Sequence, residues 1–283
     1  MDPMPATGPA PAPKAAPPAR RRRRGRPWIR TSVQALFVLV VVLSLADASL
    51  HAICPFGGVV SLYRLFTEGD YVQKIHASSV VLMLAVFGLA ALFGPVFCGW
   101  ACPFGAVQEW LGALGKKLLG RRFDRLVPEK ADRILRYLRY VVLALVIYNT
   151  AATAKLVFQD YDPYYALFNF FSGEVAIAAY AILGATLLLS LAVERPWCRY
   201  ACPYGGLLGL TNPIRLLKLR RNEATCTHCG ACDRACPSRI PVSKRATVHD
   251  TACIGCMKCT SGEACPIPDT VVVEPFFVRR KKG

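Results

Sequence analysis

Cys226-Thr-His-Cys229-Gly-Ala-Cys232-Asp-Arg-Ala-Cys236-Pro237 and Cys253-Ile-Gly-Cys256-Met-Lys-Cys259-Thr-Ser-Gly-Glu-Ala-Cys265-Pro266 hold eight of the chain's 13 cysteines. Two-residue gaps let one tight loop supply three thiolates, and the fourth arrives from elsewhere. That is the arrangement a 4Fe–4S cube requires, and in two-cluster ferredoxins the fourth cysteine of each run ligates the other run's cluster. On that pattern one cluster takes Cys226, Cys229, Cys232 and Cys265, and the other takes Cys253, Cys256, Cys259 and Cys236. Zinc favours four ligands in two pairs, and a disulfide framework belongs to small secreted chains. Neither matches two triplets with outlying fourths. The spacing predicts an α+β module with two clusters over residues 222–270, and hence a protein that moves electrons.

Outward from this module the composition changes. The chain has 283 residues, 54% of them hydrophobic, yet carries a net charge of +17. Stretches at 31–50, 76–97, 137–158 and 173–193 are apolar over about 20 residues, the length of a membrane-crossing helix. Their few charges sit near the ends, as the cost of burying charge in lipid requires. The expected fold class is therefore an all-α helical membrane protein, four transmembrane helices in two parallel repeats, with the ferredoxin module appended. The membrane domain is expected over 31–210, an interfacial linker helix over 211–221 and a basic tail over 271–283.

Basic residues cluster before the first stretch, between the second and third, and after the fourth. By the positive-inside rule, the chain is expected to be multi-pass in the inner (cytoplasmic) membrane, with both termini and the clusters in the cytoplasm. A reducing compartment also favours free thiolates. A basic start, an apolar run and Ala46-Asp47-Ala48 also fit a cleavable signal peptide, although the apolar run is long enough to span. Residues 1–30 are rich in Pro, Ala and Arg and are expected to be disordered. Ahead of an apolar span, their basic run suits a topology signal touching anionic lipid rather than nucleic acid, so no nucleic-acid partner is expected.

A second cysteine motif occurs twice. Cys98-Gly-Trp-Ala-Cys102-Pro103-Phe-Gly105 and Cys198-Arg-Tyr-Ala-Cys202-Pro203-Tyr-Gly205 stand 100 positions apart at the ends of the second and fourth stretches. On a continuing helix, cysteines at i and i+4 share a face. The proline then breaks or redirects the chain. Cys98, Cys102, Cys198 and Cys202, brought together across a pseudo-two-fold axis, suit a further cluster, another metal or a redox dithiol pair. Close packing of small residues explains one such motif but not its repetition.

The paired motifs CGWACPFG and CRYACPYG, followed by two ferredoxin runs, resemble the NapH/NosR/polyferredoxin group of membrane iron–sulfur proteins. The resemblance covers roughly residues 30–270. It implies a four-span membrane core, two cytoplasmic 4Fe–4S clusters, and electron exchange between quinol or menaquinol and a redox partner protein. Related proteins with C-x3-CP pairs serve in copper reduction and oxidase assembly, which leaves metal handling as an alternative. A redox-sensing membrane anchor is another.

Quinol oxidation releases protons and calls for His, Asp or Glu to receive them. His51, His76, Asp160 and Asp162 are the candidates, all expected in outer loops, on the opposite face from the C-x3-CP motifs. Cys54 is unpaired. His228 and His249 fall outside the expected ligand set and are expected at the surface.

Overall fold

The structure is a computed structural model and describes residues 27–44, 77–153, 157–170 and 175–275. Helices do form at the four apolar stretches: α1 (Pro27–Ser44), α2 (Ala77–Phe93), α5 (Leu138–Thr153) and α7 (Ile177–Ser190). Between them lie α3 (Pro103–Leu119), α4 (Glu129–Leu135) and α6 (Pro163–Phe168). The two short helices α8 (Pro196–Tyr200) and α9 (Pro203–Gly209) follow α7.

The four-span membrane architecture is not what these helices build. They run for 18, 17, 16 and 14 residues, and among the described residues no helix is long and apolar enough to cross a membrane. At about 1.5 Å per residue, a 17-residue helix falls short of the roughly 30 Å hydrocarbon core. The stops have local causes. α2 ends at Gly94, whose φ of 81° is a left-handed conformation that glycine adopts without strain, and Pro95 follows. After α7 the chain turns through Arg195, at φ 51°, into Pro196. Beyond α5 it folds back through a 3-10 turn, Val157–Tyr161, into α6. α1 is not uniformly apolar in its setting: Arg30 and Gln34 are buried against the protein. Residues 27–30 are thus part of α1 and not of a disordered arm.

The C-terminal region is α+β. A three-stranded antiparallel sheet has the order β2 (Thr247–Val248), β1 (Leu217–Arg221), β3 (Val271–Pro275). Leu219 pairs with Val248 on one side and Val273 on the other. Two expectations are corrected here. The segment 211–221 is not an interfacial helix: its end is the central strand, with Leu219, Lys218 and Arg221 buried. Residues 271–275 are not tail but strand. Leu219, Ile240, Val242, Val248 and Val271 form one core with Cys232, Cys253 and Cys259, and the single-turn helix α10 (Ala231–Arg234) carries Cys232.

Candidate functional site

The two C-x3-CP motifs share one backbone. Cys102 has φ −63° and ψ 112°, and Cys202 has φ −67° and ψ 112°. Each closes a wide turn, with Cys102 N–H donating to the Phe97 carbonyl at 2.8 Å and Cys202 N–H to the Trp197 carbonyl at 2.9 Å. Pro103 and Pro203 then open the next helix, where the missing N–H costs nothing because first-turn donors have no intrahelical partner. Phe97–Ala101 is a π turn, and its counterpart α8 is an ordinary α turn.

All four of these cysteines line a single cavity of about 80 Å³. Its other walls include Phe104, Phe158, Tyr164 and Trp197, with Arg139, Asp162, Cys253 and Ile254. Gln108, fully buried, joins the two motifs: its Nε2 donates to Cys198 Sγ at 3.3 Å, and its Oε1 accepts from Trp197 N–H at 3.2 Å. Burial pushes all four thiols up, Cys102 to about 12, with repulsion from neighbouring cysteines adding to it at Cys98, Cys102 and Cys202. Arg195 opposes that rise at Cys98, Cys102 and Cys198. Desolvated thiols of this kind lose their protons when a metal centre binds.

The ferredoxin cysteines surround two further cavities. Cys226, Cys229, Cys232 and Cys265 line one, and Cys236, Cys253, Cys256 and Cys259 line the other. The described cysteines are free thiols. Among the described residues, no three His, Cys, Asp or Glu converge closely enough to hold a single metal ion. Four thiols standing around a cavity suit instead a multi-iron core, in which each thiolate binds its own iron. On donor chemistry and arrangement the residues fit 4Fe–4S clusters.

Run two of the module is pressed onto the first C-x3-CP motif. A Cβ on Gly99 would lie 2.5 Å from the Ile254 carbonyl oxygen and 3.0 Å from Cys256. Trp100 Nε1 donates to the Gly255 carbonyl at 3.2 Å. On the second repeat, a Cβ on Gly209 would lie 2.4 Å from the Thr251 carbonyl, and Asn212 Nδ2 donates to the Cys253 carbonyl at 2.8 Å. Arg215, fully buried, directs Nη1 at Cys253 Sγ (3.7 Å) and donates through Nη2 to the Val248 carbonyl at 2.7 Å.

A buried charge network braces this contact, and sequence reasoning missed it because single Arg and Glu residues in apolar surroundings carry no spacing signal. Glu109 on α3 receives Arg30 (2.5 and 2.6 Å), Arg195 (2.5 Å) and Lys258 (2.9 Å). Desolvation works to raise its pKa, but Arg195, Arg30 and Lys258 outweigh this and hold the carboxyl well below the usual range. Glu194 pairs with Lys116 and Lys258. Arg239 of the module pairs with Asp124 at 2.9 Å.

Asp162 is the displaced residue. Expected in an outer loop, on the opposite face from the cysteine motifs, it instead lines the same cavity as the four cysteines. It caps α6, accepting from Tyr164 N–H at 3.0 Å. Stacking of Phe158 on Trp197 and edge packing of Tyr164 on Phe104 bring its segment inward. Burial pushes its pKa up to about 7, against the hydrogen bonds from Tyr164 and Tyr165. Asp160 is exposed and does not line the cavity. His228 and His249 are exposed, as expected. His51, His76 and Cys54 lie outside the described residues.

Comparison with known proteins follows the same division. A 4Fe-4S binding domain family matches residues 75–122 and again 175–222, each copy enclosing one C-x3-CP motif. A 4Fe-4S dicluster domain family matches residues 218–266. The Escherichia coli (strain K12) protein YccM is 33% identical over 77% of this chain, which spans only 61% of that protein. A Methanocaldococcus jannaschii protein is 32% identical over 72% of this chain and 73% of its own length. The ferredoxin-type protein NapH of Haemophilus influenzae is 28% identical over 67% of this chain and 65% of its own. No solved structure matches the chain. With its paired C-x3-CP domains and dicluster module, the chain belongs to the NapH/NosR-like family of ferredoxin-type iron–sulfur proteins.

Proposed function

We propose that this iron–sulfur electron-transfer protein exchanges electrons between the quinone pool and a redox partner, and that hydroquinone meets the chain at the aromatic, Asp162-bearing edge of the C-x3-CP site, beside the core that its four cysteines hold. One observation carries the reading: four thiols and one desolvated carboxylate line a single aromatic-walled cavity whose lining includes Cys253 of the ferredoxin module. Oxidising a hydroquinone removes two electrons and two protons, so its site needs an electron acceptor and a proton acceptor side by side.

In this reading Cys226, Cys229, Cys232 and Cys265 hold one 4Fe–4S cluster, and Cys236, Cys253, Cys256 and Cys259 hold the other. Cys98, Cys102, Cys198 and Cys202 hold a further iron–sulfur core. Clusters at these positions supply one-electron transfer. The residues do the rest. Asp162 accepts a hydroxyl proton, and a carboxyl titrating near 7 is poised to take it up and release it again. Arg139 stands in the same wall and favours negative charge at Cys98. Phe158, Tyr164 and Trp197 exclude water and offer ring faces to a planar substrate.

The reading includes attachment to the cytoplasmic membrane. α2, α5 and α7 leave Leu84, Ile147, Ile177 and Leu188 exposed, and exposed apolar surface on this scale marks an interaction site. The quinone pool is itself lipid-borne. The module is expected on the cytoplasmic side, where thiols stay reduced.

The test is anaerobic mixing of the purified chain with a water-soluble menaquinol analogue, followed by EPR. Cluster reduction in the wild type, lost in Asp162→Asn and kept with dithionite, supports the proposal. Equal quinol reduction of wild type and Asp162→Asn removes Asp162 from it, and no reduction of the wild type removes the quinone pool.

A further inference from the structure

The contacts between the cavities put the cysteine sites in a fixed order. Cys253 and Ile254 line both the C-x3-CP cavity and the cavity of Cys236, Cys256 and Cys259. These two adjacent residues thus belong to both walls. No ferredoxin cysteine other than Cys253 lines the C-x3-CP cavity. The approach is tightened where it matters, since Gly99, between the cysteines of the first motif, leaves no room for a Cβ against Ile254 and Cys256. Trp100 adds a hydrogen bond to Gly255 between them. On the run-two cavity, Pro237, Ser238, Ile240, Val242 and Val248 are all buried.

The run-one cavity stands differently. Cys229 is exposed, and so are its neighbours Thr227, His228 and Pro266. None of its lining residues also lines the C-x3-CP cavity. It adjoins the run-two site through the module's shared core, in which Cys232 packs with Cys253 and Cys259.

We infer that the chain is a linear electron relay in the order C-x3-CP site, run-two site (Cys253, Cys256, Cys259, Cys236), run-one site (Cys226, Cys229, Cys232, Cys265), with the run-one site as the solvent-facing terminal. The inference rests on the reading that these cysteines hold iron–sulfur clusters, and it deepens that reading by assigning each run a place. Each step moves one electron between adjacent sites, one being oxidised as the next is reduced, and no bond is made or broken. The order holds for either direction of flow. At the buried end the electron donor or acceptor is of hydroquinone class; at the exposed end it is a water-borne redox protein that reaches only the run-one site.

The experiment uses the full chain, reconstituted anaerobically, and follows each cluster by EPR and by iron content. Cys229→Ser disables the run-one site. With photoreduced flavodoxin, a reductant too large to enter the protein, reduction of the run-two cluster is expected to slow at least tenfold in this variant, while a menaquinol analogue still reduces it at the wild-type rate. Cys256→Ser disables the run-two site, and the run-one cluster should then respond to flavodoxin but not to the quinol. Gly99→Ala alters no ligand: it should keep the wild-type iron content yet slow quinol-driven reduction of both module clusters, which covers the case in which a serine variant does not fold. Wild-type rates of run-two reduction by flavodoxin in Cys229→Ser, or of run-one reduction by quinol in Cys256→Ser, overturn the order. If quinol reduces nothing in the wild type while Cys229→Ser still blocks flavodoxin, the order stands and the quinone reading fails.

Discussion

Lys258, set between Cys256 and Cys259, places its ammonium 2.9 Å from Glu109 on α3 and 3.2 Å from Glu194 after α7. One side chain from a cluster-binding loop therefore ties the ferredoxin module to both cysteine-motif repeats. Glu109 is the hub, because Arg30 and Arg195 meet it as well.

Truncating that hub leaves cations buried without their counter-charge. Removing one partner of a buried pair typically costs about 3–5 kcal/mol. Glu109→Ala is therefore expected to lower the thermal midpoint strongly, with Glu109→Gln intermediate because the amide retains an acceptor. Differential scanning fluorimetry of the holo chain decides it, and unchanged midpoints in both variants would show the network to be dispensable.

Iron content checks the C-x3-CP site. Three four-thiol sites correspond to about twelve irons per chain and two to about eight. Replacing Cys98 and Cys198 together with Ala is expected to bring the anaerobically prepared protein from the first figure to the second, leaving the EPR signals of the ferredoxin clusters in place. A wild type with about eight irons, unchanged in the double variant, would assign the motif to packing or thiol chemistry.

Asp162 has a pH signature of its own. Burial raises its pKa from 3.8 to about 7, so the folded chain binds a proton that the unfolded chain has already released. Stability from this group is complete below about pH 4 and is lost as pH rises through 7. Asparagine also caps helices well, so Asp162→Asn keeps the cap on α6 and drops the titration. The variant should gain stability relative to wild type progressively from pH 5 to 8, measured as the difference in denaturation midpoints. A difference independent of pH would mean that Asp162 is solvated.

Arg215 places positive charge 3.7 Å from Cys253 Sγ. A reduced cluster carries one more negative charge, and charge and hydrogen bonds at the sulfurs set cluster potential. Arg215→Met should lower the midpoint potential of the run-two cluster by tens of millivolts and leave the run-one cluster alone. Redox titration monitored by EPR reads both, and an equal shift at the two clusters would indicate a general structural effect.

Sequence spacing carried much of the candidate site. The x2, x2 gaps announced the cluster runs, and the 100-residue repeat announced the paired motifs, because ligand spacing along a loop is a local property. The strands were harder to read. Leu217-Lys-Leu-Arg-Arg221 mixes apolar and basic residues as an interfacial helix would, and only pairing with β2 and β3 makes it a central strand. Helix length was misjudged for a related reason. Hydropathy extends past Phe93 and Ser190, but a left-handed Gly94 followed by Pro95 ends α2, and α7 closes in tightened turns at Leu191 and Ala192 before the chain redirects at Arg195 and Pro196.

By itself, the sequence determined that this is a two-run iron–sulfur protein with a duplicated C-x3-CP motif, since thiolate number and spacing are written in the chain. Tertiary structure alone decided which groups meet. It drew Asp162 from an expected outer loop into the cysteine cavity by packing Phe158 on Trp197 and Tyr164 on Phe104. It also set Cys253 as the wall between two sites and gathered Arg30, Arg195 and Lys258 on Glu109. The three cations lie 79 to 149 positions from Glu109 in the chain, and no local pattern encodes a contact that exists only when helices, motif turns and module close on one another.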